Sequence, residues 1–191
     1  MNQPHQPDTE LDFLAAEFDA VLHSLRAQDP AAHRLSGPLT AVVDLTARLG
    51  STLHDAHAEL AGCAPADRSS LAATATELCH AVGAAGRAVS ALAAAQNAHL
   101  FIGHFADRYG HPDADTAIAR ARIAAALTTA RDNLTETSGY LRHLTGTDTA
   151  GQLLRAARAR SRQADGAAMG SAAVSPAESS TPIPPNPARR R

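Results

Sequence analysis

Leu11, Leu14, Phe18, Val21 and Leu25 follow one another at spacings of three and four, the period that draws one apolar stripe along an α-helix. The pattern predicts a helix from about Asp8 to Gln28, closed by Asp29-Pro30, which can also open the next one. The second stripe runs through Leu35, Leu39, Val42, Leu49, Leu53 and Leu60, with Thr46 and Ala56 in the remaining positions, and ends near Gly62. Ser36-Gly37-Pro38 interrupts its start, and because Pro38 cannot donate to the residue four back, a kink or short break is expected there. A third helix is expected from Pro65, with Leu71, Ala75, Leu78, Val82, Ala85, Val89 and Leu92 on successive heptad core positions. It can continue to about Tyr109, before Gly110 and Pro112, as a rod of roughly 40 residues and some 60 Å. A fourth helix, from Asp113 to about Leu144, carries Ile123, Leu127, Ala130, Leu134, Leu141 and Leu144.

Four stripes joined by short connections specify antiparallel neighbours, so the expected fold is all-α: an antiparallel up-and-down helical bundle of about four helices with a long third helix. No segment shows period-two alternation, and no sheet is expected. The bundle is expected to occupy residues 1–148. Residues 149–191 are expected to hold a short basic helix, Gln152 to Arg162, and then a disordered Ala-, Gly-, Ser- and Pro-rich tail.

Composition adds three constraints. Aromatics make up 3% of the chain, with no Trp, so the core must be built from Ala, Leu, Val and Ile, and stability must come from long, close helix contacts. All 17 basic residues are Arg, which together with the Ala content reads as the codon bias of a G+C-rich bacterial genome and removes any argument from arginine abundance alone. Residues 1–150 hold 10 Arg against 17 acids, a balance of −7, while residues 151–191 hold 7 Arg against 2, a balance of +5. Nucleic-acid binding is therefore not expected, except through the basic tail and its Arg155, Arg158 and Arg162 face. No secretory signal is expected in Met1 to Leu11. The stretch from Ala88 to Ala106 lacks Asp, Glu and Arg, yet its polar residues and alanines argue against a membrane span. Cys63 and Cys79 should be roughly 20 Å or more apart, and a cytoplasmic protein with two unpaired thiols follows.

Ten histidines raise the question of a metal. His54 and His57 lie three apart, Glu77 and His80 form one Glu-x-x-His, and His104, Asp107 and His111 share a face. Carboxylate-bridged sites in bundles use two Glu-x-x-His pairs, and one is present here, so neither metal nor other cofactor is expected. Gln96 and His99 fall on the next heptad core positions after Leu92. They form either a polar core layer that fixes register or a point where the seam drifts onto Ala95, Leu100 and Phe101. There is no phosphate loop, nucleophile elbow, zinc spacing or dinucleotide fingerprint, so no catalytic residue is assigned.

The segment Ala32-His33-Arg34-Leu35-Ser36-Gly37-Pro38-Leu39-Thr40-Ala41 resembles the phosphoacceptor helix of bacterial sensor histidine kinases, with Leu, Pro, Leu and Thr at offsets of two, five, six and seven from His33. It also resembles, over fewer positions, the Ala-His-x-Leu-x-Gly of histidine phosphotransfer domains. Arg34 stands where that pattern usually has an acid and Ser36 where it has a base, and nothing resembling an ATP-binding domain follows. The resemblance implies a phosphoacceptor role for His33, which the helical period turns away from Leu35 and Leu39.

The functional expectation is a non-enzymatic interaction protein that works by contact with protein partners, itself included. Its interface is expected at the end of the third helix, where Leu100, Phe101, Ile102, Phe105 and Tyr109 extend past the cover of shorter neighbours. The alternative is a phosphorelay intermediate, or a degenerate kinase-like hairpin, using His33.

Overall fold

The computed structural model describes residues 10–27, 35–109 and 114–146, apart from the side chains of residues 105–109 and 114. What the sequence predicts for residues 1–9, for the connection carrying Asp29, Pro30 and His33, and for the tail with Arg155, Arg158 and Arg162 lies outside the described residues. Four helices account for nearly everything described: α1 (Glu10–Ala27), α2 (Ser36–Gly62), α3 (Arg68–Tyr109) and α4 (Ala114–Thr145). There is no strand among the described residues. Each helix packs on its sequence neighbours, and α1 closes the ring against α4, which makes an antiparallel up-and-down bundle.

Two helix starts differ from the sequence reading. Pro38 is the third residue of α2, which runs unbroken from Ser36, with Leu39 N donating to Leu35 O at 3.0 Å. In a first turn the missing N–H of proline has no intrahelical acceptor to lose, so the residue opens the helix without kinking it. Pro65 precedes α3: Pro65, Ala66 and Asp67 form a turn, and Asp67 O receives the first bond of the helix, from Leu71 N at 3.1 Å. The Asp67 carboxylate stands at the positive end of the new helix dipole.

The stripes face inward as the periodicity predicts. Phe18, Leu14 and Leu25 of α1, Val42 and Leu49 of α2, Leu78 and Leu92 of α3, and Leu134 and Leu141 of α4 are fully buried. Along α3 the space between the leucines is filled by Ala81, Ala84, Ala85, Ala88, Ala91 and Ala95, all buried, so the backbones of α3 and α4 approach closely along their most extensive contact. Val82 and Val89, expected in the core, are instead half-buried at its margin because these alanines hold the seam.

Polar groups pin the register of the four helices. Arg48 of α2 pairs with Glu17 of α1, and Asp19 of α1 accepts from Ser138 (2.8 Å) and Arg142 of α4. Arg87 of α3 donates to Asn133 Oδ1 and Glu136 Oε2 of α4, both at 2.8 Å. Arg131 of α4 donates from Nη2 to Leu25 O at 2.6 Å, satisfying a last-turn carbonyl of α1 that has no partner of its own in that helix. Buried Thr137 and Asn133 bond to main-chain oxygens one turn back, so the polar residues on the inner face of α4 cost little.

The same contacts show that α3 and α4 outrun their neighbours. Arg131 meets Leu25, two residues before α1 ends at Ala27, so the 17 residues of α4 from Ala114 to Ala130 (131 − 114), about 25 Å of helix, rise past it. Glu17 and Arg48 set α2 beside α1: α2 begins 12 residues before Arg48 (48 − 36) and α1 ends 10 after Glu17 (27 − 17), so both stop near one level. Burial follows this step. Just below Arg131 α4 buries adjacent pairs, Asn133 with Leu134 and Thr137 with Ser138, before the single Leu141 and Leu144, whereas above Arg131 it buries only single residues among those described, Thr116, Ala119, Ile123, Leu127 and Ala130. The base is a four-helix bundle and the overhang is a two-helix hairpin. One 18-residue window in α3 is long and apolar enough by composition to cross a membrane; 39% of it is buried inside the bundle.

Candidate interaction surface

On the overhang, several side chains that leave the α3–α4 seam are exposed: Ala94, Asn97, Leu100 and Phe101 of α3, and Asp115, Ile118 and Arg122 of α4. Ala94, Asn97, Ala98 and Phe101 of α3 lie at intervals of three, one and three, a strip along one side of that helix. Asp115, Ile118, Ala119 and Arg122 repeat the same spacing on α4. The two strips form the walls of one open groove of about 640 Å³. Phe101 is 41% exposed, Ile118 52% and Leu100, on the neighbouring face of α3, 62%. Phe13 and Val43, also exposed, sit on α1 and α2 and line no part of this groove.

Of the interface residues expected from sequence, Leu100 and Phe101 are therefore exposed on the overhang, Ile102 is half-buried against the core, and the side chains of Phe105 and Tyr109 lie outside the described residues. The sequence reading left out α4. That helix accompanies α3 along the overhang, so the exposed end is a hairpin with two walls rather than a single helix end, and Ile118 was missed. The signal was present in the chain: Ile118 lies off the Ile123/Leu127 stripe, and an isoleucine off-stripe on a short-looped partner helix belongs to an outer face.

Gln96 and His99 stand near the root of this hairpin. His99 is buried, at 7% exposure, in line with Ala95, while Gln96 is half-buried with its Oε1 enclosed and without a hydrogen-bond partner. Leu100 and Phe101 turn outward on either side, so the seam passes through Ala95 and His99 and leaves both apolar residues partly exposed.

A second concave region, on the base, is lined by Cys79, His80, Gly83, Arg87 and Glu136. Glu136 is consumed internally, one oxygen by Arg87 and the other by Tyr140 (3.3 Å). The Tyr140 phenol, whose ring centroid is 5.6 Å from that of His80, is held above its ordinary pKa by loss of solvent and then by the Glu136 charge. The thiols of Cys63 and Cys79 are free. No group of three His, Cys, Asp or Glu is placed to hold a metal among the described residues. No family model, curated protein or solved structure matches the chain.

Proposed function

We propose that this is a non-enzymatic helical-bundle protein, bacterial and cytoplasmic, that works by binding other protein surfaces through the α3–α4 overhang. The observation that carries this reading is the groove between Phe101 and Ile118. Two helices present matched strips of small and apolar residues at helical spacing, on which Phe101 and Ile118 keep about half of their surface exposed. A channel between two helices is shaped to receive a third, whose side chains drop between those of the walls. Alanines along both strips let a backbone come close, while Phe101 and Ile118 supply the large apolar contacts that anchor such interfaces. Asp115 and Arg122 give the groove a polar rim of both signs.

The test is site-specific photocrosslinking in cells of the native host. A photoreactive phenylalanine analogue at Phe101, or at Ile118, is expected to capture protein adducts, and the same group at exposed Thr76 on the base is expected to capture none. Equal adduct yields at the two ends would sink the assignment of this surface.

A further inference from the structure

Asp115 and Arg122 stand seven residues apart on one side of α4, about 10.5 Å along the helix axis, too far to pair with each other. Both are exposed, and neither has an ion-pair partner among the described residues. Midway between them lie Ile118 and Ala119, the apolar part of the strip. A strip that reads acid, apolar, base is complementary to itself when reversed. We infer that the occupant of the groove is a second copy of this chain, docked about a two-fold axis that passes between Ile118 and Ala119 with the two α4 helices antiparallel. The inference rests on the reading of the overhang as an interaction surface and names its partner.

In that arrangement Asp115 of each copy meets Arg122 of the other, giving two equivalent ion pairs, and Phe101 of each copy closes over Ile118 of the other. The contact is isologous, so it closes at two copies and does not propagate. Parallel docking of the same strips would set Asp115 against Asp115 and Arg122 against Arg122, so the charges also select the orientation. A closed pair of two-helix overhangs supplies to each hairpin what α1 and α2 supply lower down, a second pair of helices across the seam.

The experiment is sedimentation of the purified full-length chain with charge-reversed variants. The wild type is expected to sediment as a dimer at micromolar concentration. Asp115→Arg alone and Arg122→Asp alone are each expected to raise the dissociation constant at least about tenfold, because each puts two like-charged pairs in the interface. Mixing the two single variants is expected to restore a dimer containing one of each, since one copy then carries only positive and the other only negative charge at these positions. The double variant Asp115→Arg/Arg122→Asp is expected to dimerise as the wild type does. Unchanged helicity separates these effects from unfolding. Single reversals that leave the dimer intact, or a mixture that stays monomeric, would overturn the antiparallel pairing. A wild-type chain that stays monomeric at high micromolar concentration while Phe101 and Ile118 still crosslink to other proteins overturns the second copy as occupant and leaves the interaction surface standing. Loss of those crosslinks overturns both.

Discussion

On one helix, α4, the turns below Arg131 bury Asn133 beside Leu134 and Thr137 beside Ser138, while the described upper turns bury Thr116, Ala119, Ile123, Leu127 and Ala130, one at a time. The base has neighbours on two sides and the overhang on one. In the base, large side chains such as Phe18 and Leu92 fill the centre, and ion pairs join α1 to α2, α1 to α4 and α3 to α4. The overhang holds two helices together with a narrow seam and leaves Phe101 and Ile118 outside it. The difference teaches how one continuous pair of helices divides its apolar area between the inside of the fold and its exterior. Apolar area hidden within the chain stabilises the fold, and the same kind of area left open on the overhang is free to stabilise a complex.

The sharpest way to break this contrast is truncation of a side chain in each region. Phe18→Ala, in the fully buried centre of the base, is expected to cost about 3–5 kcal/mol in denaturant unfolding of the full chain. Ile118→Ala, half exposed on the overhang, should stay within about half a kcal/mol at a concentration where the chain is dissociated. Comparable losses at the two sites would show that the overhang is core.

Much of this division can be read in the sequence, and what cannot has a physical reason. Three-four spacing located every helix, since a stripe must be buried whatever covers it, and the leucines of α4 at positions 127, 134, 141 and 144 are all inside. Pro65 and Pro38 were misplaced because a proline at a helix start satisfies the same local rule at several offsets, and the competition is settled by turn geometry that local composition does not encode. Ile118 was missed for a different reason. Whether an off-stripe residue meets solvent or a neighbour depends on how far each helix extends past the next. That is fixed by contacts such as Arg131 with Leu25, separated by 106 residues.

A smaller effect sharpens the contrast at the boundary. Gln96 keeps an enclosed Oε1 without a hydrogen bond, whereas Asn133 in the base has both its amide groups engaged. Gln96→Leu removes an acceptor that is desolvated without compensation, and is expected to stabilise the chain by about 1 kcal/mol, read as a higher unfolding midpoint. Asn133→Leu should do the reverse, because it removes the acceptor of the Arg87 Nε–H and the donor to Thr129 O, leaving Arg87 only its pair with Glu136.

The smallest expected effect belongs to His33, on the segment resembling a phosphoacceptor helix. Its replacement by Gln should change stability by no more than about half a kcal/mol, because the helical period turns the residue away from the apolar stripe of Leu35 and Leu39. If the resemblance extends to chemistry, a phosphorylated receiver domain transfers an acid-labile, base-stable label to the wild-type chain and none to His33→Gln. No label on the wild type across the receivers of its host would end that reading and leave the proposed overhang surface as the one still to be tested by crosslinking.

The hydrogen bond from Arg131 to the end of α1 also sets an order of events. As the chain is made from its N-terminus, the carbonyl of Leu25 is synthesised 106 residues before the guanidinium that will satisfy it. At about 5–20 residues per second that interval is roughly 5–20 s. During it, the first helix can lean only on α2, its weaker neighbour, with the apolar face of Leu14, Phe18 and Leu25 incompletely covered. The bundle is therefore closed by its last helix, and the nascent chain passes through a stage in which its earliest apolar surface is open to chaperones or to the same surface on a neighbouring ribosome.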